Sequence, residues 1–175
     1  MHNGIYCGHP EAFTAPGKWD KTDLTWWMDD PAKPLYVYSR KQQFDMIDNA
    51  LSVWAAASTL RFKAQMHPRA DIVVKWVTGE HGDGNPFDGP GRVLAHAYLP
   101  SDQYDHYLEG DIHMDESEAW GTWVDPLTVL IHEAGHSLGL GHSTVDASVM
   151  QAFYGGIKIA LTADDKLAIQ SLYGS

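Results

Sequence analysis

One segment of eleven residues constrains this chain more than any other: His132-Glu133-Ala134-Gly135-His136-Ser137-Leu138-Gly139-Leu140-Gly141-His142. Pro126 before it and Gly139 within it bracket an apolar run and predict a helix over residues 127–138. At 3.6 residues per turn, His132 and His136 lie one above the other on a single helix face, so both imidazoles can grip one ion. Glu133 stands about 100° round the helix, beside that face, where it reaches a water on the ion without ligating the ion. Gly139 lets the chain turn with φ > 0 and brings His142 back as a third donor. Three nitrogens leave a fourth position for water, the arrangement of a catalytic rather than a structural zinc. Chance is a poor explanation. With 10 His, 6 Glu and 16 Gly, the full pattern arises in roughly 1 in 10,000 shuffles, the short H-E-x-x-H form in roughly 1 in 50.

The rest of the composition limits the alternatives. A chain of 175 residues, 44% apolar and 20% charged, suits one globular domain. A net charge of −11 argues against nucleic acid as a partner, which calls for a basic face. A single cysteine, Cys7, excludes an intramolecular disulfide framework. No apolar run has the length of a membrane span, and Met1-His2-Asn3-Gly4 starts no signal-like segment.

Residues 1–18 read as a lead segment rich in Gly, Pro and His, and residues 19–175 as the domain proper. Strands are predicted over 24–30, 60–66, 71–77, 93–99 and 111–114. Besides 127–138, helices are predicted over 40–58, with Phe44, Ile47, Ala50, Leu51 and Trp54 on one face, and over 163–172 behind the N-cap Thr162. Residues 78–91 carry five glycines and little to bury. The class is α/β or α+β.

A second donor set surrounds that loop. His81 and Asp83 sit two apart, and His96 and His113 come from the following strand-like segments; four protein ligands would close a tetrahedron, as in a structural zinc. Asp88, Asp115 and Glu118 offer the hard oxygens that calcium takes. The alternative for these acids is that they solvate loops.

The extended histidine motif is that of metzincins. Ser148-Val149-Met150 after it, and His81-Gly82-Asp83, Pro86-Phe87-Asp88-Gly89-Pro90-Gly91, Leu94-Ala95-His96-Ala97 and Gly110-Asp111-Ile112-His113-Met114-Asp115-Glu116-Ser117-Glu118 before it, resemble the matrix metalloproteinases, or matrixins, from about Cys7 to Tyr173. The resemblance implies a twisted five-stranded, mostly parallel sheet with one antiparallel edge strand and three helices. It implies a zinc endopeptidase, secreted and monomeric, acting on peptides or proteins, with Glu133 as general base. Met150 would be the Met-turn residue beneath the zinc histidines. His81, Asp83, His96 and His113 would hold a structural zinc. A calcium would be held by Asp88, Asp115, Glu118 and the carbonyls of Gly89, Gly91 and Val93, and a second by Asp71 and Asp111.

Cys7-Gly8-His9-Pro10-Glu11 resembles the cysteine switch of the family's zymogens, in which a thiolate fills the fourth zinc position. Tyr6 stands where the family has Arg and Glu11 where it has Asp; the alternative is an idle N-terminal thiol. The strand over 93–99, with Ala97, reads as an edge to which an extended substrate can add. The pocket wall after Met150 is Gln151-Ala152-Phe153-Tyr154, where Tyr154 matches the family's usual Pro-x-Tyr and Ala152 replaces its proline. Two other functions compete with peptidase: a latent or inactive metal-stabilised binding module, and an amidohydrolase of small molecules.

Overall fold

In the computed structural model the described residues are 17–29, 37–100 and 108–175. Their strands are β1 (Asp23–Met28), β2 (Arg61–Ala64), β3 (Ile72–Val77), β4 (Ala95–Ala97) and β5 (Ile112–Asp115), and their helices α1 (Arg40–Ala55), α2 (Pro126–Ser137) and α3 (Ala163–Tyr173). The sheet runs β2-β1-β3-β5-β4. All neighbours are parallel except β4, which pairs antiparallel with β5 in the register His96↔His113. The expected architecture is therefore present. Every strand predicted from sequence exists; the first four are shorter than expected, with only 95–97 of 93–99 ladder-paired, and the fifth keeps its length but is shifted by one residue to 112–115.

Parallel strands covered on both faces read as continuous apolar runs, and β3 is buried at Ile72, Val73, Val74 and Trp76. Helix α1 starts at a reciprocal capping box: the Gln42 amide donates to Ser39 Oγ and the Ser39 amide to Gln42 Oε1. Its inner face is Gln43, Ile47, Ala50, Leu51 and Trp54. Phe44, expected on that face, sits at its border with its ring 4.7 Å from that of Trp26. Gln43 is buried instead, because its side chain donates to Tyr38 O at 3.0 Å.

Helix α2 is buried on nearly every side, the expected state of a helix apolar all round. Asp125 caps it by accepting from the Thr128 amide at 2.8 Å. Trp54 of α1 donates its indole N–H to Ile131 O at 2.9 Å and fastens the two helices together. The last carbonyls of a helix have no partners within it. Here Trp19 Nε1 donates to Ser137 O at 3.0 Å and Tyr173 Oη to Leu138 O at 2.9 Å, so both ends of the domain meet where α2 stops.

Candidate metal centres

The end of α2 is built to place nitrogens. Gly139 turns the chain at φ 97°, and Leu140 N donates back to Gly135 O at 2.9 Å. His142 thereby faces the helix. The Nε2 atom of His136 lies 3.0 Å from that of His132 and 3.1 Å from that of His142. Zinc–imidazole bonds of about 2.0–2.1 Å would put tetrahedral donors about 3.3 Å apart, so the spacing fits one ion. The opposite ring nitrogens are committed: His132 Nδ1 to Val149 O and His136 Nδ1 to Leu140 O, both at 2.7 Å. A carbonyl accepts only from N–H, which fixes the proton on Nδ1 and leaves Nε2 bare toward the ion. Burial pushes His132 down to about 3, with the charge of His142 adding to it, and holds His136 well below its usual value. Both rings are neutral, as ligation requires. His132 and His136 are buried and His142 is exposed, so solvent reaches the cluster from the His142 side.

Glu133 is fully buried, and neither carboxylate oxygen has a hydrogen-bond partner among the described residues. Burial raises its pKa well above the ordinary carboxylate value. A buried acid without partners is costly, and a water on an ion beside it would satisfy it. Met150 is buried under the helix: a Cβ built on Gly135 would lie 2.3 Å from its sulfur and 2.9 Å from the Trp54 ring. The glycine between the two ligands is thus the hole that Met150 fills. The sequence assigns Met150 to this place but gives Gly135 and Trp54 no part in it, because their roles depend on a close approach of distant segments.

The second cluster brings all four expected donors together. Asp83 Oδ2 lies 2.7 Å from His81 Nε2 and 2.8 Å from both His96 Nε2 and His113 Nδ1. The ring nitrogens of His81 and His96 lie 3.1 and 3.2 Å from that of His113. Protons cannot serve every one of these contacts at once, whereas one cation serves all four donors. Burial would raise the Asp83 pKa. Donation from the Asn85 amide, Tyr98 Oη and His96 outweighs it, and the carboxyl is held well below its ordinary range. Burial and the charge of His113 lower His96 to about 4. Tyr98, whose hydroxyl donates to Asp83 Oδ2 at 2.8 Å, was missed from sequence. Its place two residues after His96, on the same strand face, was the available signal.

Next to this cluster, Asp115 and Glu118 are both raised by burial, with the negative charge of Asp88 adding to each and that of Asp115 adding to Glu118. The Gly91 amide donates to Glu118 Oε1 at 2.6 Å, tying the 89–93 turn to the carboxylates. Asp115 Oδ2 is buried with no partner among the described residues. Crowded carboxylates with an orphaned oxygen fit a hard cation. Asp71 and Asp111 differ: Lys21 Nζ lies 2.6 Å from Asp71, and Lys75 Nζ 2.8 Å from Asp111. Each of these acids already has an ammonium.

Ala97 is buried on β4. Beyond Met150, Tyr154 packs on the core with its hydroxyl accepting from the Asp125 amide at 3.0 Å, and Ala152 is half-buried. Cys7 and its switch-like neighbours lie outside the described residues.

Comparison with known proteins agrees with this geometry. The chain is 39% identical to karilysin of Tannerella forsythia over 98% of its own length and 36% of that protein's. It is 40% identical to stromelysin-3 of Xenopus laevis over 91% and 33% of the two chains, and 43% identical to rat matrilysin over 74% and 49%. It spans about a third of the length of the first two. A sequence model of the matrixins matches residues 18–174, from the strand that opens the sheet to the helix that closes it. With three imidazoles on α2 and its return loop, and this match running through both metal centres, the chain belongs to the matrixin family.

Proposed function

We propose that the chain is a zinc-dependent endopeptidase that hydrolyses extended peptide segments of proteins outside the cell. The observation that carries this reading is the buried carboxylate of Glu133, without a hydrogen-bond partner among the described residues, beside three convergent imidazoles. His132, His136 and His142 would hold the zinc, which when bound polarises the scissile carbonyl and brings water into the range of bases working at neutral pH. Glu133 takes the proton of the attacking water. It then returns the proton to the leaving amine. Met150 fills the space beneath the two helix histidines and holds α2 at a fixed distance from the segment behind it.

The remaining ions would be structural. His81, Asp83, His96 and His113 would hold a second zinc. His96 belongs to the edge strand β4 and His113 to its partner β5, so this centre would fix the strand to which a substrate adds. Asp88, Asp115, Glu118 and the 89–93 turn would hold one calcium. A second calcium at Asp71 and Asp111 would have to compete with Lys21 and Lys75 for these carboxylates. The extended substrate would run along β4 past Ala97 and place one side chain in the pocket walled by residues 151–161.

The test is Glu133→Ala. Turnover of a fluorogenic peptide falls by about 10²- to 10⁴-fold, while zinc per chain, measured by mass spectrometry of the metal, stays as in the wild type. A variant with its metal and most of its rate intact would exclude Glu133 as the base.

A further inference from the structure

The pocket wall has Ala152 where the family usually has proline, and Ala152 brings no restraint of its own. The following segment is poorly furnished with apolar anchors: Gly155 and Gly156 adjoin, Gly156 has φ 100°, and Ile157 and Ile159 are 71% and 52% exposed. A stretch of this kind, with no helix or strand, should wander. Three hydrogen bonds from one side chain prevent it. Lys158 Nζ donates to Asp146 O at 2.6 Å, to Gln151 Oε1 at 2.9 Å and to Ser148 O at 3.0 Å. An ammonium has three N–H groups, and all three are used on the segment that leads from His142 to the wall. The Lys158 amide meanwhile donates to Thr128 Oγ1 at 3.1 Å, and that hydroxyl donates to the helix cap Asp125 at 2.6 Å. Thr128 stands one turn before His132 on α2.

We infer that Lys158 is a specificity-positioning residue, an ammonium staple that fixes the pocket wall against both α2 and the Met-turn segment. The inference rests on the peptidase reading for its meaning and on these contacts for its geometry. The acceptors diverge around a point, which suits a compact ammonium better than the planar fork of arginine. The hydrogen bonds of Lys158 go to residues 146, 148 and 151 and to Thr128, and none goes to a histidine; it sets where the wall stands and so which side chain after the scissile bond is accepted.

The test compares wild type, Lys158→Met and Lys158→Arg in three measurements: zinc per chain, hydrogen exchange of amides 155–161, and kcat and KM on peptides differing only in the residue after the scissile bond. In Lys158→Met the zinc content is unchanged, exchange over 155–161 is faster, and the wild-type ranking of peptides narrows by about 3- to 10-fold. That narrowing is carried mainly by KM. Lys158→Arg falls between, and it decides the matter if the methionine variant does not fold. A folded variant with the wild-type ranking overturns the inference, whatever its exchange shows. If the wild type cleaves no peptide, the peptidase reading fails by itself, and exchange alone then judges the staple: unchanged rates refute it.

Discussion

At the residue scale, His142, the third candidate ligand, depends on one glycine for two separate reasons. Gly139 has φ 97°, and a Cβ there would lie 2.0 Å from the carbonyl oxygen of Gly17. The motif alone reveals the first reason, a turn that only glycine makes cheaply. The second is invisible in sequence, since Gly17 lies 122 positions away along the chain. Gly139→Ala therefore combines an unfavourable φ with a backbone clash that no side-chain rotation relieves. It lowers stability by about 2 kcal/mol or more, and it loses zinc more readily because His142 is displaced. Thermal melting and competition with a chromogenic chelator measure the two effects. A variant equal to wild type in both would show that the turn tolerates a side chain.

At the element scale, α3 reaches into the turn that carries Met150. Thr162 and two acids mark its start in the sequence, and the expected cap is present: Thr162 N donates to Asp165 Oδ2 at 2.8 Å. The structure adds that Asp165 is buried and also accepts from Ser148 Oγ and the Val149 amide, in the turn that carries Met150. Burial would raise the Asp165 pKa, but the donors from Ser148, Thr162 and Val149 outweigh it and lower it. A lowered folded-state pKa means that the ionised group stabilises the fold above the ordinary carboxylate value of about 3.9. That contribution is lost as the pH falls through the lower folded value. Asp165→Asn leaves buried donors short of an acceptor and costs about 1–3 kcal/mol at neutral pH. The wild type should lose this advantage over Asp165→Asn on acidification below pH about 4. Melting curves across the acid range check the sign: a gap that widens in acid contradicts the assignment.

At the scale of the molecule, the segment from residue 78 to 93 is organised around donors. It has no helix and no strand, and ordering each residue costs roughly 1–2 kcal/mol of backbone entropy. Phe87, stacked on His81 with centroids 5.1 Å apart, is one of its few apolar anchors. The acids it gathers belong to a chain of net charge −11. An ion present at 100 times its Kd stabilises the native state by about 2.7 kcal/mol, so removing one such ion should lower Tm by about 5–10 °C for a chain of this size. Calcium-selective chelation with zinc buffered is predicted to produce that loss together with faster exchange over 78–93. An unchanged Tm would argue that the carboxylates merely solvate the loop.

The sequence by itself determined the elements and the family. Periodicity marked the helices, β-branched runs marked the strands, and fixed spacings such as H-E-x-x-H survive into three dimensions because a helix turns every 3.6 residues regardless of its neighbours. The tertiary structure decided what depends on segments meeting: that Gly135 makes room for Met150, that Trp19 and Tyr173 complete the end of α2, that Lys21 and Lys75 pair with Asp71 and Asp111, and that the Lys158 ammonium binds the segment after His142. Hydrogen bonds and close packing act over a few ångströms. Partners far apart along the chain therefore leave no local pattern, and only the folded chain brings them together.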